Sequence, residues 1–416
     1  MPPLRHQWRW RILALLFLIT VVNFLDRQSL SVVAPVLREE FRLSATDYGR
    51  IVAAFQFGMM TGEFPMGWLM DRRGVRFGFT FAVISWSLAT AMHVFGRSAL
   101  TFGLFRFWMG TGECGNFSGG MKVVSQWFPV RERAFAVGIF NSGTMIGAMI
   151  APPLIAFLML RFGWRVAFLV PATFGFVWVA LWRLFYRPAD QHPRLSAAEL
   201  DYIRQDPTPP ELPPPPTAAL LRRRETWAVM LCRMMVGPVV QFYWYWLPDY
   251  LYHARGLSLR TIGLFAWVPF LFGDLGNIGG GWLAGALIRR GFSVDAARRI
   301  TMFSGAACCL GSLAVAQAPT AGAAIAVICL VLLGHTCLSA NMFAVISDFF
   351  PDRAVGRVTG LTGVAGGLSG LLFPLLTGVL VDRFSYTPVF ALAAAMPLAG
   401  VLLQFLLGGR VRRLEI

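Results

Sequence analysis

The chain has 416 residues, 56% of them hydrophobic and only 14% charged, and its mean hydropathy is +0.60. Soluble proteins of this length carry more charge, so the composition sets aside a water-soluble fold and points to an integral membrane protein. The formal net charge of +16 would suit a nucleic-acid binder only if it clustered on one folded face; here it gathers at the ends of apolar runs.

A spanning helix needs about 20 mainly apolar residues. Charge clusters and turns divide the chain into twelve such segments, near 10–36, 48–70, 77–96, 100–126, 133–159, 164–186, 225–252, 261–288, 298–318, 321–348, 356–381 and 386–408. With the N-terminus inside, and residues at segment ends counted with the loop they adjoin, 24 of the 37 Lys and Arg residues fall in inner segments, 9 outside and 4 within helices. That asymmetry follows the positive-inside rule, so both termini are expected in the cytoplasm.

The first segment reads as a retained span, not a signal peptide. Its apolar stretch is long, no small-residue cleavage site follows, and Asp26-Arg27 interrupts it. Glu63 and the pattern Gly67-x-x-x-Asp71-Arg72-x-Gly74-x-Arg76 mark the inner end of the second segment. There the glycines permit close helix approach and a tight turn. Asp71, Arg72 and Arg76 can pair with neighbouring helix ends as gating charges, and Glu63 is expected to brace the same gate. In the fourth segment Arg106 and Glu113 lie two helical turns apart and so face one side, with Gly110, Gly112, Gly115, Gly119 and Gly120 allowing close neighbours. Lys122, the only lysine, sits toward the inner end as either a lower-gate residue or a snorkelling interface residue.

Ionised side chains at bilayer depth cost roughly 2.5–3.5 kcal/mol each on insertion scales, and they normally line a bundle interior or a substrate path. The two acids and two arginines at that depth are therefore where function is sought. An arginine fork binds a carboxylate bidentately and keeps its charge. Burial favours the neutral form of a carboxyl, whereas a nearby arginine favours the ionised form, so substrate binding and helix rearrangement can toggle Glu113 between loading and releasing a proton. The competing reading is a permanent Arg106–Glu113 or Asp26–Arg106 bridge that only holds the bundle together.

Residues 187–224 contain Pro207, Pro209, Pro210 and the run Pro213–Pro216, then Arg222-Arg223-Arg224. They read as a semi-rigid extended linker with one short surface helix, begun by Ser196 and Glu199 in capping-box spacing. The linker separates residues 1–186 from 225–416, and these parts are copies. A shift of 222 residues lays 123–172 on 345–394 without a gap, matching Phe128-Pro129 with Phe350-Pro351, Pro152 with Pro374, and Arg161-Phe162 with Arg383-Phe384. A second register pairs Gly62, Gly67 and Trp68 with Gly276, Gly281 and Trp282. The expected fold is thus all-α, with twelve transmembrane helices in two pseudo-symmetric six-helix bundles and a site near the midplane between them.

Neutral polar residues near mid-depth are candidates for substrate hydroxyls: Asn141 and Thr144 in the fifth segment, Gln241 and Tyr245 in the seventh, Ser339 and Asn341 in the tenth. Each can equally serve as interhelical glue. Asp274 in the eighth segment reads as a third coupling acid, a partner for Arg233 or a helix-break contact, and His335 as a hydrogen-bonded packing residue. The six cysteines fall within predicted helices and show neither metal-ligand spacing nor a loop disulfide framework.

The loop pattern after the second segment, with twelve helices and a repeated half, resembles the major facilitator superfamily. Further residues resemble its anion:cation symporter family, most of all the hexuronate transporters: Asn23-Phe-Leu-Asp26-Arg27, Arg106-Phe-Trp-Met-Gly-Thr-Gly-Glu113, Met121-Lys122 through Trp127-Phe128-Pro129, and Gly138-Ile-Phe-Asn141. So do Trp246-Leu247-Pro248, Leu287-Ile-Arg-Arg-Gly-Phe292, and Asn341 with Asp348-Phe349-Phe350-Pro351. The resemblance covers essentially the whole chain. It implies proton-driven uptake of a sugar acid through a bacterial inner membrane, with Asp26 and Glu113 as protonation sites and Arg27 and Arg106 as carboxylate contacts. Phe24 departs from the tyrosine frequent in that family.

The reading is a proton-coupled symporter of an organic monoanion, working as a monomer in the bilayer. Its cargo is a hexuronate, or another carboxylate such as an aldonate, aldarate or aromatic acid. A drug or cation exporter is the alternative within transport. Paired intramembrane arginines disfavour cationic cargo, and the fifth segment, with Gly143-x-x-x-Gly147, lacks the Gly-Pro pattern of many antiporters. A non-transporting sugar-acid receptor would append a signalling domain, and only Gly409 to Ile416 follow the last segment. No metal cluster, nucleophile triad or phosphate loop occurs in any loop long enough to hold it, so neither an enzyme nor a cofactor is expected. The seventh and tenth segments lack the charge pattern of the first and fourth, so the first half is expected to handle proton and carboxylate.

Overall fold

A computed structural model describes residues 8–205 and 215–414. Its regular elements among these residues are helices: α1 Trp8–Glu40, α2 Ala45–Arg73, α3 Val75–Met92, α4 Ala99–Glu113, α5 Gly115–Trp127, α6 Val130–Phe162, α7 Val166–Phe185, α8 Ala197–Arg204, α9 Thr217–Leu221, α10 Arg224–Asp249, α11 Leu259–Phe265, α12 Val268–Arg289, α13 Val294–Cys309, α14 Ser312–Gln317, α15 Ala321–Phe349, α16 Asp352–Arg383 and α17 Thr387–Gly408. Three of the twelve spanning segments are interrupted. α4 gives way to α5 at Cys114, α11 to α12 at Ala266-Trp267, and α13 to α14 at Leu310-Gly311. Several helices run past their apolar segments, because a helix ends where its backbone is capped, not where hydropathy falls. Nine of the described helical segments are long and apolar enough to cross a membrane by composition alone. α2, α4–α5 and α10 are not among them, since charge, glycine or a helix break dilutes their apolar runs.

The surface is apolar, unlike that of a soluble protein, and a few charges are buried. Phe64 is 82% exposed, Leu406 75% and Leu184 74%, while Asp26 and Glu113 are fully buried and Arg106 is 1% exposed. Surface of that kind is stable against lipid and would associate in water.

The chain forms two compact units, Met1–Arg42 with Ala54–Pro209, and Leu43–Ala53 with Pro210–Ile416. In the first, α1 lies along α6, because a Cβ at Gly147 would fall 2.6 Å from the Val21 carbonyl oxygen. α4 is held as tightly: a Cβ on Gly112 would come within 2.9 Å of the Trp86 backbone nitrogen in α3. In the second unit α10 packs on α16 and α17, and α15 on α12 and α13. The opening turns of α2 belong there too. Asp382 of α16 accepts from the Ala45 and Thr46 backbone at 2.8 and 2.7 Å, and the Tyr48 hydroxyl donates to the Tyr245 carbonyl at 2.6 Å.

The repeat is visible in local geometry. α6 starts after Pro129 (φ −63°, ψ 154°) and α16 after Pro351 (φ −64°, ψ 153°), so the two matched prolines hold the same extended N-cap conformation.

Of the linker, residues 206–214, including Pro207, Pro209, Pro210, Pro213 and Pro214, lie outside the described residues. The part before them is folded onto the first unit, not extended. Ser196 caps α8 by accepting from Glu199 N at 3.2 Å, as its spacing predicts. Glu199, however, turns its carboxylate to α1, accepting from Trp8 N at 3.1 Å and Arg9 N at 3.2 Å. A carboxylate there satisfies orphan amides and complements the positive end of the helix dipole. Tyr202 donates to Glu132 at 2.6 Å, and His192 packs against Trp8 and Trp127 at 4.6 and 5.4 Å between ring centroids.

Candidate functional site

From Asn23 to Pro35 every residue of α1 is buried, so this stretch is enclosed on all sides. That is how neighbours 100° apart on a helix, Asp26 and Arg27, can both be withdrawn from lipid. α4 brings Arg106 and Glu113 to the same place, as the two-turn spacing predicts.

The pairing differs from both bridges that the sequence suggests. Arg27, on α1, donates from Nε and Nη2 to Glu113 Oε2 at 3.0 and 2.8 Å, and from Nη2 to Asn23 Oδ1 at 3.4 Å. Arg106 instead donates through Nη1 to the backbone carbonyl of Arg27 at 3.3 Å. Asp26 faces the charges of Glu113 and Arg106 and the indole of Trp86, yet neither carboxylate oxygen receives a hydrogen bond among the described residues. Glu113 Oε1 likewise receives none. The cluster therefore holds two acids and two arginines with acceptor capacity to spare, more than a closed structural bridge requires.

Aromatic rings complete it. The Arg27 guanidinium lies 4.6 Å from the Phe24 ring centroid and 5.1 Å from that of Phe55, which also stands 5.8 Å from the Arg106 guanidinium. Phe24, in place of tyrosine, thus stacks on Arg27 instead of presenting a hydroxyl. Phe55 is not marked by the sequence, because an aromatic residue in an apolar helix carries no signal of its own.

Of the charges expected to act in gating, near the far end of α2, the structure joins only Lys122 and Asp71 to one another. Lys122 pairs with Asp71, Arg72 covers the Trp68 ring at 4.7 Å, and Arg76 donates to the Arg183 carbonyl at 2.6 Å. Gly74 adopts φ +79°, the turn its position predicts, whereas a Cβ at Gly67 would meet nothing within 4 Å, so no close approach uses it. Glu63 is exposed and joins none of these pairs.

The remaining candidates are scattered. Asn141 is exposed, and the Thr144 hydroxyl donates to its carbonyl at 2.8 Å. Gln241 is half-buried against Gly370, and its Oε1 receives no hydrogen bond among the described residues. Tyr245 is buried and Ser339 half-buried. Asn341 donates to the Gly280 and Cys337 carbonyls at 3.1 and 3.0 Å and accepts from Arg298 at 2.7 Å, a set that braces α12, α13 and α15. His335 bonds the Val236 carbonyl at 2.9 Å, as a packing histidine does. Asp274 does not pair with Arg233. That arginine sits 4.9 Å from the Phe343 ring centroid, in the space left by Gly366, with no acidic partner among the described residues. The same signal, a charge inside a predicted span, marks Arg233 in the sequence.

The family model described as Major Facilitator Superfamily matches residues 16–373 and 291–415. A hexuronate transporter of Escherichia coli (strain K12) is 31% identical over 403 residues, covering 95% of this chain and 92% of that protein. A D-galactonate transporter of Escherichia coli O6:H1 is 30% identical, covering 97% and 96%. Among solved structures, a bacterial homolog of the human lysosomal transporter Spinster, inward-facing and unoccupied, superposes with a TM-score of 0.77 at 19% identity over 96% of this chain and 95% of that one. A D-xylose-proton symporter gives 0.74 at 14% identity over 97% and 98%. The chain belongs to the Major Facilitator Superfamily and is a transporter, not an enzyme.

Proposed function

We propose that the protein is a proton-coupled symporter that imports an organic monoanion, a hexuronate or a related sugar acid, through a bacterial inner membrane with both termini cytoplasmic. The observation that carries this reading is the Arg27–Glu113 ion pair, shut away from solvent with Arg106 and Asp26 beside it. With both acids ionised, the four side chains are formally neutral. Adding a substrate carboxylate would leave one uncompensated negative charge in a low-dielectric interior, which is costly. A proton on Glu113 removes that excess and releases the Arg27 fork, whose geometry fits a carboxylate bidentately. Loss of the proton on the inner side lets Glu113 recapture Arg27 and displaces the substrate. One proton then accompanies one monoanion.

In this reading Arg106 is the second carboxylate contact and Asp26 the second protonation site. Asn141, Thr144, Gln241, Tyr245 and Ser339 are offered to sugar hydroxyls, and Arg233 supplies the second unit with a cation of its own. The Lys122–Asp71 pair, with Arg72 and Arg76, acts in gating. The hexuronate and galactonate transporters among the relatives support a sugar acid as cargo.

The test is uptake into proteoliposomes from a panel of hexuronates, aldonates and aldarates, under an imposed pH gradient with and without a protonophore. One class should accumulate only while the gradient lasts. Glu113→Gln should abolish that accumulation yet retain exchange of labelled substrate across the bilayer. Wild-type accumulation by Glu113→Gln would remove this residue from coupling, and uptake driven by sodium alone would reassign the ion.

A further inference from the structure

The second unit holds a basic basin outside the proposed transport site. After α17 the chain reverses at Gly409 (φ +72°), a conformation that favours glycine, and the tail runs back along the helix ends. It is pinned at three points. Arg299 donates to the Gly409 carbonyl at 2.7 Å, Val411 N to Asp295 at 2.8 Å, and Leu414 N to the Phe349 carbonyl at 2.7 Å. Residues two apart in an extended segment share a face, so with Val411 buried, Arg410 and Arg412 turn the other way. They line a cavity of about 280 Å³ together with Arg224, Glu225, Phe349 and Leu414. Three arginines oppose one glutamate there. Glu225 is engaged by Arg224 at 3.4 Å, and Arg410 and Arg412 form no ion pair among the described residues. The N-terminus of α10, which no side chain caps, opens at the same level, and such an end attracts anions.

The depth of the basin identifies its ligand chemistry. It is bounded by the first residues of α10 and the last residues of α15 and α17, which is where spanning helices leave the hydrocarbon and meet phosphate headgroups. Basic pockets between helix ends at that level suit anionic headgroups, and an arginine fork matches two phosphate oxygens. We propose that this basin binds a phosphate group, that of an anionic phospholipid such as phosphatidylglycerol, and that the lipid fastens the C-terminal tail to the second unit.

The full-length protein in nanodiscs of phosphatidylcholine, with or without phosphatidylglycerol, provides the test, read as the thermal unfolding midpoint. Ligand held only by the folded state raises that midpoint. Phosphatidylglycerol should raise it for the wild type and for Arg289→Gln/Arg290→Gln, which removes exposed charge at the end of α12. It should not do so for Arg410→Gln/Arg412→Gln. If that variant melts early in phosphatidylcholine, Arg412→Gln alone carries the comparison. A gain that persists without Arg410 and Arg412, or disappears equally in the α12 variant, overturns the site in favour of diffuse surface attraction. If inorganic phosphate in phosphatidylcholine discs reproduces the gain and phosphatidylglycerol adds nothing, the phosphate is a soluble one and the lipid assignment fails.

Discussion

Arg27 is held against one carboxylate oxygen of Glu113 by two donors, and that geometry sets what a substitution there does. Arg27→Ala would strand Glu113 as a buried unpaired acid, at a cost of about 3–5 kcal/mol, and would confuse binding with stability. Arg27→Lys keeps the charge and loses the fork. Substrate affinity should then fall by roughly 10- to 100-fold, the worth of one charge-assisted hydrogen bond of about 1.5–3 kcal/mol, as measured by equilibrium binding to purified protein. Unchanged affinity would take Arg27 out of the binding site. At this scale the sequence is a good guide to which charges are buried together, because charge inside an apolar run is rare and costly. It does not tell who pairs with whom. Arg106 and Glu113 share a helix face, yet the partner of Glu113 comes from α1, and that choice depends on how α1 is rotated against α4.

Among the elements, α8 and the turn before it show how a polar segment acquires a structural role. His192 lies outside the membrane segments, with Nε2 on the Phe185 carbonyl at 3.2 Å and Nδ1 receiving from Arg194 N at 3.3 Å, as only the neutral ring allows. Burial lowers its pKa from 6.5, the Phe185 carbonyl partly opposing and the Arg187 and Arg194 charges adding. Because the folded value lies below the unfolded one, the brace is at full strength above about pH 6.5 and is lost as pH falls through the lowered value. Hydrogen exchange of residues 189–204, corrected for intrinsic rates, should therefore lose protection between about pH 7.5 and 5, and His192→Gln should flatten that dependence. Protection unchanged by pH in the wild type would contradict it. A second prediction concerns α4. Gly112→Val puts a branched side chain against backbone of α3 and should destabilise the protein by about 1–3 kcal/mol, seen as a lower unfolding midpoint in detergent; a wild-type midpoint would mean that α3 and α4 separate freely there. Capping and glycine signals for both elements are legible in sequence. The target of the Glu199 carboxylate is not, since α1 lies 190 residues away in the chain.

Over the whole molecule, the sequence by itself determines the membrane class, the twelve segments and the repeat. Each of these follows from local composition or periodicity, which water and lipid read in the same way wherever the chain folds. Tertiary structure alone decides three further matters. It joins Arg27 to Glu113, it assigns the first turns of α2 to the second unit through Asp382 and Tyr48, and it folds the tail into a basin lined by Arg410 and Arg412. All three depend on contacts between residues distant in sequence. Such contacts are selected by the packing of helix faces and by the cost of leaving buried backbone groups unpaired, and neither condition is written in any single segment.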